Sequence, residues 1–139
     1  MKTEQGLKEV SVQPNDLDEF LTSEFYYGKT VGRTAGRLFG PMYTIDQTDY
    51  YLPEQTYLHG GPEGFSFKHF DVIEITDTFV KLRAISYEDE GPYDGVLTLD
   101  VTYELTGQSL TMRHFASTTA PTLCNITNHV YLNLSQAKT

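Results

Sequence analysis

A chain of 139 residues fits one domain with a real core, and 39% hydrophobic with 13% aromatic residues (10 Tyr, 8 Phe, no Trp) is a strand-forming composition that argues against disorder. The formal net charge of −9 argues against nucleic acid or an anionic membrane as partner, because both require basic patches that neutralise phosphate. The single Cys124 excludes an internal disulfide framework and leaves no cysteine pair with metal-site spacing.

The lone cysteine fits a reducing cytoplasm as the expected location, and the polar and charged stretch from Met1 to Val10 reads as neither signal peptide nor membrane span. In that setting the N-x-S/T patterns at Asn125 and Asn133 read as chance. Asp16, Asp18 and Glu19 beside Leu17, Phe20 and Leu21 predict one short helix within Asn15 to Phe25. Val31-Gly32-Arg33-Thr34-Ala35-Gly36-Arg37 carries two guanidinium groups at i and i+4, and matches no phosphate-binding loop. Arg37 offers a rigid fork of donors to a hydroxyl-bearing ligand; the plainer alternative is a surface arginine paired with one of many carboxylates.

From Tyr43 onward the pattern is strands and turns. In Leu58-His59-Gly60-Gly61-Pro62 the glycines permit close backbone approach to a ligand and the proline stiffens the exit, so either His59 is held at a cleft edge or an ordinary turn contains a histidine. Strands are expected over Lys68 to Thr76, Thr78 to Tyr87, Val96 to Leu105, Ser109 to Thr118 and Thr122 to Leu134, giving an all-β, antiparallel chain. Leu97, Leu99, Val101, Tyr103 and Leu105 alternate with Thr98, Asp100, Thr102 and Glu104, which predicts an inward and an outward face, and Thr106-Gly107-Gln108 predicts a hairpin turn. Glu88, Asp89 and Glu90 read as a solvated acidic run, and His69 and His114 as structural.

Read at a two-residue period, the last segment separates into Cys124, Ile126, Val130, Leu132 and Leu134 on one face, broken by Asn128, and Asn125, Thr127, His129, Tyr131 and Asn133 on the other. A row of amides, hydroxyls and one imidazole matches the mixed donors and acceptors of a sugar. A half-solvated strand with a lone histidine would show the same alternation.

Four segments occur in one order: Gly32-Arg33-x-x-x-Arg37; Leu58-His59-Gly60-Gly61-Pro62-x-Gly64-Phe65; Glu90-Gly91-x-Tyr93-x-Gly95-x-Leu97-x-x-x-Val101-x-Tyr103; and Thr127-Asn128-His129-x-Tyr131-x-Asn133-Leu134. Together, over about Leu17 to Leu134, they resemble the aldose 1-epimerase (galactose mutarotase) family. The resemblance implies a β-supersandwich and interconversion of the α and β anomers of free hexoses such as galactose and glucose, with no metal or organic cofactor. Ring opening requires a proton removed from the anomeric hydroxyl and one delivered to the ring oxygen, hence two opposed proton carriers. By the resemblance, His129 is the general acid, an assignment suited to an imidazole that titrates near neutrality. His59 orients the sugar near its ring oxygen, Arg37 binds sugar hydroxyls, and Asn128 and Tyr131 belong to the substrate-binding set.

The chain departs from the family pattern at several places. Gly36 stands where many members have a sugar-contacting asparagine, the Pro53 to Tyr57 loop is short, and Leu132 replaces a frequent phenylalanine. Family members are more than twice as long, with a glutamate base and a sugar-binding aspartate far downstream of the Asn-His-x-Tyr strand. Residues 1–139 are therefore expected to be a single partial domain, lacking the amino-terminal strands, the carboxy-terminal half and the general base, and to be inactive alone. The alternatives are a non-catalytic carbohydrate-binding or sensing module, or a domain that self-associates through uncovered sheet edges.

Overall fold

The computed structural model describes residues 2–3 and 6–134. Its strands are β1 (Lys2–Thr3), β2 (Gly6–Leu7), β3 (Thr30–Val31), β4 (Arg37–Phe39), β5 (Met42–Ile45), β6 (Thr48–Tyr51), β7 (Thr56–Leu58), β8 (Asp71–Ile75), β9 (Phe79–Ser86), β10 (Leu97–Thr106), β11 (Ser109–Thr118) and β12 (Thr127–Asn128). One helix, α1 (Leu17–Thr22), starts where Asp16 accepts the Glu19 N–H at 2.8 Å, and a 3-10 turn spans Phe65–Phe67.

The alternating apolar residues of β10 make it an inner strand of a four-stranded antiparallel sheet in the order β11, β10, β9, β8. Leu97, Leu99 and Val101 are buried with Ala84 and Phe65, and Phe70, Tyr103 and Ile126 pack onto this cluster. Burial fades along β10, so that Leu105, read as inward, is exposed. The opposite face of β10 also departs from the expected solvated pattern at Asp100, which is buried. Arg83, its cross-strand partner, grips it at 2.6 and 2.9 Å and Lys81 at 2.8 Å. These two cations hold the Asp100 carboxyl at a pKa of about 2.

The remaining strands form two-stranded ladders: β1 with β2, β3 with β12, β4 with β7, and β5 with β6. The β5–β6 hairpin turns on Asp46 and Gln47, both at positive φ (47° and 68°), the backbone that two-residue hairpins demand. The β10–β11 hairpin closes at Thr106 and Ser109, with Gly107 at φ 60°, as its turn residues predict.

The expected strand from Thr122 to Leu134 is not one strand. Its extended backbone is shared among three partners: Asn125 bridges Thr34 in parallel, β12 pairs β3 in antiparallel, and Leu132 bridges Ser11. Between these, His129 N–H donates to Lys29 O at 2.8 Å and Gly28 N–H donates to His129 O at 3.1 Å. Its apolar face is likewise not a core face: Ile126 packs on the core, whereas Cys124, Val130, Leu132 and Leu134 are exposed. Alternation alone does not reveal which face finds a packing partner.

Candidate functional site

Three separate stretches deliver aromatic side chains to one place. The β4–β7 ladder pairs Arg37 with Leu58, so the residue that leaves β7 next, His59, stands beside the start of β4. His59 takes a left-handed backbone (φ 53°), its N–H donates to Gly36 O at 2.9 Å, and its Nδ1 accepts the Gly36 N–H at 3.0 Å. An Nδ1 that accepts carries no proton, so the neutral ring bears its hydrogen on Nε2 and presents it as a donor. Burial, followed by the neighbouring His129 and Arg37, pushes the His59 pKa below that of a free imidazole, which favours this neutral donor form.

The glycines after His59 let the chain pack closely against itself. Gly60 has φ 88° and lies against the Gly32 backbone so closely that a Cβ there would stand 2.5 Å from the Gly32 carbonyl carbon and 2.7 Å from Arg33 N. A Cβ on Gly61 would overlap the Tyr57 ring. Phe65 N–H donates to Gly32 O at 3.1 Å, so the His-Gly-Gly loop is clamped onto the Gly32 segment and anchored in the core by Phe65.

His129 follows β12, and its ring lies edge-on to that of His59 with centroids 5.1 Å apart. Tyr26, on the turn before β3, completes the cluster at 4.8 Å from the His59 ring and 5.8 Å from the His129 ring. Tyr131 reaches His129 at 5.0 Å, and Tyr27 reaches Tyr131 at 6.0 Å. Among the described residues the His129 imidazole makes no hydrogen bond, so both ring nitrogens are open to a ligand. Arg37 is exposed at the same rim. The arrangement offers a fixed neutral imidazole donor, a second uncommitted imidazole, a guanidinium fork and aromatic walls. These groups suit the hydroxyls and apolar C–H face of a sugar.

Asn128 points elsewhere: its Nδ2 donates to Gly28 O at 2.7 Å and Tyr103 OH at 3.2 Å, which holds the strand that presents His129. The acidic run is committed in part, since Glu90 pairs with Lys68 at 2.6 Å and accepts the Tyr87 N–H at 2.6 Å. His69 is exposed 3.8 Å from Asp71, and His114 is half-buried with an Nε2 that has no partner among the described residues. Among those residues no group of three or more His, Cys, Asp or Glu converges as a metal cluster. No helix among them is long and apolar enough to cross a membrane.

Two contributors escape a motif reading. Tyr26 has φ 56°, which a run of three aromatic residues does not announce; Gly28 closing the run at φ 61° is the one local cue. Arg33 is buried, with its guanidinium over the Tyr93 ring and bonded to Ser86 Oγ and O, Tyr87 O, Asp94 O, Gly95 O and Thr122 Oγ1 at 2.8–3.3 Å. The first arginine of the Gly-Arg-x-x-x-Arg segment is thus a staple, and the second faces the rim.

The family model for aldose 1-epimerase matches residues 1–139. The chain belongs to the aldose 1-epimerase family. Galactose mutarotase of Rattus norvegicus is 35% identical over 123 residues, covering 86% of this chain and 36% of the relative. The aldose 1-epimerase of Streptococcus thermophilus is 31% identical over 138 residues, covering 94% of this chain and 40% of the relative. The crystal structure of a GalM/aldose epimerase homologue from C. elegans superposes with a TM-score of 0.89 at 29% identity, over 96% of this chain and 43% of that one. The β-rich antiparallel architecture is therefore an aldose 1-epimerase fold, and the chain spans well under half the length of the curated relatives it matches.

Proposed function

We propose that the Tyr26–His59–His129 cluster is the acid side of a hexose-anomerising site. In this reading a free pyranose such as galactose or glucose rests on the tyrosine rims, His59 Nε2–H fixes the sugar near its ring oxygen, and Arg37 takes neighbouring hydroxyls. His129 delivers a proton to the ring oxygen while solvent takes the proton of the anomeric hydroxyl, so the ring opens; the C1–C2 bond then rotates, and closure on the other face returns the ring-oxygen proton to His129 and a solvent proton to O1. The observation that carries the reading is the 5.1 Å approach of two imidazoles contributed by segments seventy residues apart in sequence, one of them fixed as a neutral donor by Gly36.

We assign no residue of 1–139 to the general base. Glu90 is occupied by Lys68 and the Tyr87 N–H. With acid but no base, the chain is expected to bind hexose yet to accelerate anomerisation little, because each partner of such a pair typically contributes about 10²- to 10⁴-fold. Freshly dissolved α-galactose, followed by NMR with the chain, with His129→Ala and with buffer, tests this. A rate near buffer together with saturable binding is expected. Fast equilibration that survives His129→Ala would remove His129 as the acid.

A second reading, self-association, is favoured by exposed apolar side chains on the outer strand β8 (Val72, Ile73 and Ile75) and at Leu132 and Leu134. Sedimentation velocity across a hundredfold concentration range separates the two, since a size independent of concentration refutes it.

A further inference from the structure

A cavity of about 290 Å³ lies beyond the Gly28–Thr30 segment, walled by Phe20, Phe65, Phe67, Leu82, Val101 and Tyr103. Lys29 enters it and is buried, 6% exposed. Its Nζ donates to Leu21 O at 3.2 Å and sits 5.2 Å from the Phe20 ring centroid and 5.0 Å from that of Phe67. Among the described residues no carboxylate pairs with it. Aromatic faces and one carbonyl compensate a buried ammonium only in part, and burial pushes its pKa down. The other lysine on the wall, Lys68, is neutralised by Glu90 at 2.6 Å. The cavity therefore holds one net positive charge in an apolar setting.

We propose that this cavity is a binding site for a small monocarboxylate with an apolar body, of the medium-chain aliphatic or arylalkyl class. The carboxylate takes the free donors of Lys29 Nζ, and the hydrocarbon lies against Phe65, Leu82 and Val101. One unneutralised cation selects a monoanion over a phosphate dianion. Of the hydroxyls on the wall, Ser66 already donates to Thr30 O at 3.2 Å and Tyr103 accepts from Asn128 Nδ2 at 3.2 Å, so beside Thr30 few polar groups remain to recognise a polyol. The volume sits at the small end of ligand pockets, about 300–1,000 Å³. The cavity adjoins the histidine cluster, since Lys29 O accepts the His129 N–H at 2.8 Å and the Phe67 ring lies 6.0 Å from that of Tyr26, but its test uses no sugar.

The test is calorimetric titration of the full chain with octanoate, octan-1-ol and octylamine, for wild type, Lys29→Arg and Lys29→Met. Octanoate is expected to bind saturably at one site, at least tenfold tighter than octanol, with octylamine silent. Lys29→Met should erase the preference for octanoate while leaving octanol unchanged, and Lys29→Arg should keep it. Equal binding of octanoate and octanol, multi-site binding, or octanoate affinity retained in Lys29→Met overturns the proposal. If Lys29→Met fails to fold, the ¹³Cε resonances of lysine-labelled wild type decide. Octanoate should move the Lys29 signal selectively and octanol should not, and an unmoved Lys29 signal overturns the proposal equally.

Discussion

Replacing Gly60 by alanine puts a methyl group into the contact that positions His59. Gly60 sits at φ 88°, a region in which an L-residue costs roughly 1–2 kcal/mol. The new Cβ would also lie 2.5 Å from the Gly32 carbonyl carbon and 2.7 Å from Arg33 N, both backbone atoms that no rotamer change can move aside. The loop must lift away, which breaks the 3.1 Å bond from Phe65 N–H to Gly32 O and loosens Phe65 in the core. One buried backbone bond contributes about 1 kcal/mol, and partial loss of an aromatic anchor a further 1 kcal/mol or more. Gly107→Ala supplies the reference: it has φ 60° but nothing within 4 Å of its added Cβ, so it carries the conformational cost alone. Both substitutions narrow the unfolded chain equally, so that contribution cancels in the difference. Urea unfolding of both variants should show Gly107→Ala destabilised by about 1 kcal/mol and Gly60→Ala by about 3 kcal/mol or more. Equal losses in the two would refute the clamp between the His-Gly-Gly loop and the Gly32 segment.

Arg33→Lys keeps the charge but replaces the planar fork with donors on one nitrogen, which cannot span the separated Ser86, Asp94 and Gly95 carbonyls, so a loss of about 3 kcal/mol in urea unfolding is expected; under 1 kcal/mol would contradict the staple role. Acid should destabilise the fold in two stages. Burial first of all lowers the pKa of His59 and of His114, so stability present above their unfolded value of about 6.5 is lost as pH falls below it. Asp100, whose pKa Arg83 and Lys81 hold at about 2, contributes stability present above about 3.8 and lost toward pH 2. Urea midpoints that rise between pH 7 and 5 would contradict the first stage, and Asp100→Asn should flatten the second. Tyr26→Ala should weaken hexose binding at least fivefold while leaving the unfolding free energy within about 1 kcal/mol, as titration calorimetry and urea denaturation would read; undiminished binding would remove Tyr26 from the site.

Local pattern is enough where pairing is local. The β10–β11 hairpin was legible because its alternation, its Gly107 turn and its register all lie within twenty-odd residues. The β5–β6 turn was less so, because Asp46-Gln47 adopts a backbone that Asn-Gly or Asp-Gly would have advertised. The segment around His129 exposes the limit more clearly. Its polar alternation points to the imidazole, but its partners are Thr34, Thr30 and Val31, and Ser11, around a hundred positions away, so no local period shows that it is divided or that Val130, Leu132 and Leu134 lie exposed. The glycines after His59 were visibly special; that Gly60 meets the Gly32 backbone and Gly61 the Tyr57 ring is a tertiary fact. The motif order identified the family and brought His59 and His129 together, whereas Tyr26, the Arg33 staple and the Lys29 cavity depend on contacts that no spacing encodes.

If His59 and His129 jointly contact a hexose, the four histidines of this chain carry their own controls. Titration of ¹³Cε1-labelled histidine with galactose, read by NMR, should move the His59 and His129 resonances together along one saturation curve. The exposed His69 and the half-buried His114 should stay fixed. Resonances of His59 and His129 that remain unmoved at saturating galactose, or that move no more than those of His69 and His114, would contradict the account.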